Sequence, residues 1–114
     1  LYIESVTYAG YEWKSCSFKF YKNRLRYVAF GNECGKEKAT HIYDTILESI
    51  VRKYPRVSRR MDIDKPSEKT ASFDDGNVVL SISYNIDGED GFATLLYMDR
   101  AIAVEINKDQ LNDL

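Results

Sequence analysis

The sequence predicts a single α+β domain: an antiparallel β-meander sheet packed against one long amphipathic helix, with a short C-terminal helix after it. Three observations carry that prediction. Apolar residues alternate with polar ones along 13–21 and, most clearly, along 78–86, the mark of half-buried strands. Between these stretches, over 38–54, apolar residues recur at helical spacing. The order is strands, helix, strands, which is an α+β pattern and not an alternating βαβ one.

The 114 residues fit one domain, 1–114. A chain of this length buries roughly two thirds of its unfolded surface and so folds without metals or disulfides. The chain opens with Leu1 and not with an initiator Met, so it is expected to be the C-terminal part or mature form of a longer precursor. A hydrophobic content of 44% against 30% charged residues argues against extensive disorder. No apolar run is long enough to span a membrane. The formal net charge of -2 gives no reason to expect nucleic acid as a partner.

Residues 1–7 form a candidate first strand, broken by Ala9-Gly10. The next strand, 13–21, places Cys16, Phe18 and Phe20 on one face, and Lys22-Asn23 is its natural turn. The returning strand, 24–31, has apolar residues on both sides. A bulge near Tyr27, or burial of both faces, reconciles this. With Phe20 paired to Leu25, Cys16 lies opposite Ala29 and Cys34 falls in the following loop. Bridged cysteines need Cα atoms about 4.4–6.8 Å apart, so both thiols are expected to be reduced.

The helical stripe is Ala39, Ile42, Tyr43, Ile46, Leu47, Ile50 and Tyr54, with His41, Thr45, Glu48 and Arg52 on the wet side. Pro55 stops the helix, because it bars the α conformation to the residue before it. Residues 56–70 read as a charged connection with a short strand at 57–61, and 71–73 as another short strand. The turn 74–77 then leads into strand 78–86, a hairpin loop at 87–91 and the returning strand 92–98. The tail from Arg100 to Leu114 reads as a helix with Asp99 as its N-cap, although Ile102, Val104 and Ile106 also alternate as in a strand.

Nine Tyr, five Phe and one Trp suit the half-wet faces of a sheet. Tyr8, Tyr11 and Trp13 are the aromatics whose inward orientation the pattern does not secure, and they are the candidate partner-binding residues. Candidates for chemistry are sparse. His41 is the only histidine and stands on the polar helix face, where no metal-ligand set accompanies it. Cys34, followed by Gly35 and Lys36, has the neighbours of an activated thiol but no second cysteine at redox spacing. The acidic stretch 85–91 offers oxygens suited to Ca²⁺, but not in EF-hand order, and hairpin turns favour the same residues. Arg52, Lys53, Arg56, Arg59 and Arg60 form a basic cluster in 52–60, immediately followed by acidic residues. No nucleophile elbow or phosphate-binding glycine loop is present. No catalytic, cofactor-binding or metal-ligating residues are therefore assigned.

Charge is uneven along the chain. Residues 1–73 carry 14 Lys and Arg against 9 Asp and Glu, and residues 74–114 carry 2 against 9. Two halves paired in one sheet would partly neutralise each other; otherwise the acidic end is a docking face for a basic partner.

Four stretches carry a resemblance over nearly the whole chain: Tyr8-Ala9-Gly10-Tyr11-Glu12-Trp13 with Phe18-Lys19-Phe20, Leu47-Glu48-Ser49-Ile50-Val51-Arg52-Lys53-Tyr54-Pro55, Leu95-Leu96-Tyr97-Met98-Asp99, and Leu111-Asn112-Asp113-Leu114. In these the chain resembles small uncharacterised envelope or secreted α+β proteins of Bacteroidetes. The resemblance implies an upstream signal peptide, a periplasmic or cell-surface address, and no known activity. The topology also resembles small periplasmic inhibitor modules that bind enzymes with a sheet face.

The expectation is a non-catalytic interaction domain that binds a protein partner through its sheet face or an edge strand, with edge strands that also allow a homodimer. The alternative is a small-ligand or metal-binding module built on the 85–91 loop or the 52–60 cluster. An enzyme using Cys34 or His41 ranks last.

Overall fold

The computed structural model of the chain describes residues 2–112. Seven strands and two helices run in the order β1 (Tyr2–Tyr8), β2 (Tyr11–Tyr21), β3 (Arg24–Gly35), α1 (Lys36–Lys53), β4 (Ser58–Lys65), β5 (Glu68–Asp74), β6 (Val78–Asp87), β7 (Asp90–Asp99) and α2 (Arg100–Asn112). The class is α+β, as expected, but the sheet dominates. The helix α1 has 18 residues, about 27 Å at the usual rise, and covers only part of one sheet face.

The sheet is fully antiparallel with strand order β1-β2-β3-β7-β6-β5-β4. This corrects the single meander. Strands β1–β3 form one meander and β4–β7 another, and α1 carries the chain between them so that β7 pairs with β3 over residues 27–35 and 90–98. Both outer strands, β1 and β4, are thereby free on one side. The basic and acidic halves of the sequence do share one sheet. Lys22 and Arg24 of the first half reach Glu105, and Lys22 also reaches Asp109, in the second.

Register fixes the two faces. Cys16, Phe30, Leu95, Ile82 and Ala71 stand in one row across five strands and are all buried. This row is the floor on which α1 lays Ala39, Ile42, Tyr43, Ile46 and Ile50, five of the seven residues of the predicted stripe; Leu47 is half-buried at its border, and Tyr54, past the last helical residue, is exposed. The row one residue along, Ser17, Ala29, Leu96, Ser81 and Ser72, belongs to the other face and consists mostly of small or hydroxyl residues. The predicted bulge is present. Lys19 pairs with Tyr27 but Phe20 with Leu25, so Arg26 is the extra residue. That extra residue also moves Cys16 opposite Phe30 rather than Ala29.

Several boundaries differ from the sequence reading. Cys34 is not in a loop, because β3 runs on to Gly35 along β7. The thiols of Cys16 and Cys34 are free. The connection 56–70 is largely strand, β4 and the start of β5, joined at Pro66-Ser67. Its charged sequence hid it because β4 is an outer strand, and solvated outer strands carry charge. The 87–91 loop is tighter than expected, since Asp87 pairs with Asp90.

Close approach of helix and sheet is set at Gly91. A Cβ there would stand 2.7 Å from Ala39 Cβ and 3.0 Å from the Gly35 carbonyl oxygen. The start of α1 is held beside it by a hydrogen bond from Lys36 N–H to the Glu89 carbonyl, 2.9 Å. Gly35 supplies no side-chain cap. At the other end Tyr54 N–H closes on the Ile50 carbonyl before Pro55 ends the helix.

Helix α2 begins at the expected cap: Ile102 N–H donates to Asp99 Oδ1 at 2.9 Å. Residues 1, 113 and 114, which the expected strand and tail included, lie outside the described residues. Beyond the burial of Ile102, α2 is tied down by carboxylates: Glu105 to Arg24 and Lys22, Asp109 to Tyr21 and Lys22, and Asp74 to Arg100. These partners hold the carboxyls of Glu105, Asp109 and Asp74 below their ordinary range. A depressed folded-state pKa contributes stability that is present above the unfolded value and lost as pH falls through the folded one. Amides of α2 are therefore expected to exchange faster as pH drops below about 4, after correction for intrinsic rates, while those of β3 and β7 stay protected. Equal behaviour of helix and sheet in hydrogen exchange would refute this anchoring.

Candidate functional site

The three aromatics singled out in the sequence sit at the β1–β2 hairpin but do not form one surface. Tyr8 pairs with Tyr11 across a two-residue turn in which Ala9 and Gly10 both have positive φ, 54° and 82°. Trp13 is fully buried. Its ring packs against Phe30 at 5.9 Å, and its indole N–H donates to the Tyr8 carbonyl at 2.9 Å. It is a core residue, and the reading of Trp13 as a partner contact is corrected accordingly. Tyr11 is half-buried with its ring edge against His41, centroids 6.4 Å apart. Tyr8 is 39% exposed, stacks on Phe30 at 4.6 Å, and shares a 2.7 Å hydrogen bond with the Tyr97 hydroxyl.

Trp13 and Cys16 both face the core although strict alternation would oppose them. Asn32 is the reason. Its Oδ1 accepts from Lys14 N–H at 2.8 Å and its Nδ2 donates to the Glu12 carbonyl at 2.9 Å. The amide thus takes the place of a strand backbone just past the last β2–β3 pair, Ser15 with Gly31. Lys14 lies across from Ser5, whose φ of 57° bends β1 at the same level. Asn32 is 1% exposed and is satisfied on both sides of its amide.

Because α1 packs on β3, β6 and β7, the helix-side face is left partly open at the end of the sheet away from the β1–β2 turn. Ile3, Phe20 and Leu25 belong to this face by register and are 41%, 58% and 43% exposed. Of these, only Ile3 stands on β1 and borders its free edge; Phe20 and Leu25 pair with each other on β2 and β3, past the Tyr2–Ser17 end of β1. The two outer strands differ sharply. In β4 five of eight residues are charged, and a register irregularity breaks its pairing between Met61 and Ile63. In β1 only Glu4 of seven residues is charged, and Tyr2 and Ile3 are exposed beside it. Charge and bulges are the devices that keep an edge from pairing with another chain. Both strands are irregular, β1 at Ser5 and β4 at Asp62, but charge guards β4 and not β1.

A second concavity of about 520 Å³ opens between the C-terminal half of α1 and the sheet. Ile46, Ile50, Phe73, Leu80 and Leu95 supply apolar lining, and Tyr8, Tyr54, Tyr97 and Lys53 supply polar groups. Its residues come from β1, α1, the α1–β4 connection, β5, β6 and β7, so no local sequence pattern could announce it.

The remaining sequence candidates are dispersed. His41 is exposed, with Tyr11 as its ring neighbour. Burial raises the Cys34 thiol, partly opposed by Lys38 and Lys14; a thiol so placed is not activated. Among the described residues no group of three His, Cys, Asp or Glu side chains could hold a metal ion, the 85–91 stretch included. Of the 52–60 cluster, Arg60 is engaged by Asp62, while Lys53 borders the concavity. Among the described residues no helix is long and apolar enough to cross a membrane. No family model, curated protein or solved structure matches the chain.

Proposed function

We propose that this chain is a non-catalytic interaction domain of the bacterial cell envelope that captures an extended segment of a protein partner along the free edge of β1. The observation that carries the proposal is the charge asymmetry of the two outer strands: five of eight residues are charged in β4 and one of seven in β1. Strand addition supplies affinity through main-chain hydrogen bonds and specificity through side-chain contacts beside the edge. Here the side chains beside the edge are Ile3 and its exposed neighbour Tyr2. The envelope address rests on the resemblance of the four sequence stretches described above. Tyr8 and Tyr11 lie at the far end of β1 and flank the docked segment, and buried Trp13 holds the hairpin that presents them.

The test is paired substitution on the two outer strands. Ile3→Lys places on β1 the kind of charge that β4 already carries, and Met61→Lys makes the matched change on β4. A partner recovered from the source cells with the wild-type chain is expected to be lost with Ile3→Lys and kept with Met61→Lys. Equal retention by both variants contradicts docking at β1. Light scattering on the purified chain distinguishes a second copy of itself as the partner.

A further inference from the structure

The concavity beneath α1 differs in chemistry from the β1 edge and meets that strand only at its last residue, Tyr8. We propose that it binds a single-chain amphiphile with a carboxylate head, the hydrocarbon lying against Ile46, Ile50, Leu80 and Leu95 and the head meeting Lys53 and the Tyr8–Tyr97 hydroxyl pair. The volume of about 520 Å³ falls within the range of pockets that enclose small ligands, about 300–1,000 Å³, and such pockets join apolar walls to a few convergent polar groups.

The polar groups select the head. Tyr8 and Tyr97 have two hydroxyl protons between them, and their mutual bond uses one. The other has no acceptor among the described side chains and remains to donate. Burial and the bond to Tyr8 push the Tyr97 phenol upward, so that hydroxyl keeps its proton. Arg52, Lys53, Arg56 and Arg59 make no ion pair among the described residues. Asp75 is the one carboxylate on the lining; its Oδ1 accepts from the N–H groups of Val78 and Asn77, both at 2.8 Å, which hold the group ionised, so its charge stands against that of Lys53.

Two effects besides Asp75 oppose an anion. The C-terminal end of α1 carries about half a negative charge, but Arg52 and Lys53 in its last turn offset this. The aromatic walls would also suit a cation, but the unpaired basic residues of the 52–59 segment disfavour one. A charge-assisted contact to a carboxylate is about twice as strong as a neutral hydrogen bond, so an acid should be preferred over the corresponding alcohol.

Calorimetric titration of the whole chain with decanoate, 1-decanol and decyltrimethylammonium, each below its aggregation limit, tests the assignment. Decanoate is expected to bind tightest. Lys53→Glu, at an exposed position, should weaken decanoate about tenfold or more and leave 1-decanol unchanged. Ser49→Trp, which fills the space from the helix side, should abolish both, with circular dichroism confirming that the variant is folded. Ile3→Lys should change neither, which separates this site from the β1 edge. Equal affinity for 1-decanol or for the cationic amphiphile overturns the head assignment. Absence of binding by all three, or unchanged decanoate binding in folded Ser49→Trp, overturns the site.

Discussion

Replacement of Trp13 by alanine is expected to lower stability by about 3–5 kcal/mol, the range for removing a large buried aromatic. The ring is fully enclosed, contacts Phe30, and returns a hydrogen bond to the Tyr8 carbonyl. Its loss opens a cavity and frees the β1–β2 hairpin at once. Domains of this kind are stable by only about 5–15 kcal/mol, so the variant should lie near the edge of folding. Urea denaturation of Trp13→Ala beside Tyr11→Ala provides the check. Tyr11 is half-buried, so its truncation should cost clearly less. A Trp13→Ala variant as stable as wild type would remove Trp13 from the core and restore it as a surface contact.

The second large effect is expected at Asn32. Asn32→Ala strands the N–H of Lys14 and the carbonyl of Glu12, which the side-chain amide now satisfies at 2.8 and 2.9 Å. An unsatisfied buried group costs about 1–3 kcal/mol; these two contacts are part-buried, so the lower half of the two-group range, about 2–4 kcal/mol, is expected from chemical denaturation. Asn32→Asp sharpens the test. It keeps the acceptor for Lys14 but replaces the donor to Glu12 with a carboxylate in a buried site. Burial raises the pKa of such a carboxyl, so its folded-state penalty is largest at neutral pH and shrinks as the pH falls toward protonation. Stability of Asn32→Asp that is equal to wild type at pH 7 contradicts the role given to this amide.

These two residues also show where the sequence stopped being legible. Periodicity identified α1 and β6 because both bury one continuous face against the core, and competition between the two sides of β3 exposed its bulge at Arg26. Trp13 was ambiguous because it stands three positions from Cys16, so alternation alone puts them on opposite faces. The kink that reconciles them depends on Asn32, some twenty residues away, with Ser5 bending the neighbouring strand. The sheet order was equally hidden. Pairing of β3 with β7 joins segments more than fifty residues apart, and alternation within a strand carries no information about its neighbour. The charge asymmetry did hint at it, and the ties from Lys22 and Arg24 to Glu105 are one consequence.

The candidate sites divide in the same way. Tyr8 was found from its aromatic character, and it does reach the surface. The open edge could not be read until β1 and β4 were known to be the outer strands. The basic cluster was visible as a run of charge, but the neighbouring concavity needs residues from six parts of the chain to exist. Contrast in charge between β1 and β4 is the signal that a reader of the sequence could have used, had the strand order been known.

Hydrogen exchange of the domain, free and with its captured partner, tests the central claim most directly. Docking along β1 predicts that amides of residues 2–8 gain protection on binding while those of β4, residues 58–65, do not change. Protection that appears along β4, or only around the concavity beneath α1, with β1 unchanged, would contradict the claim.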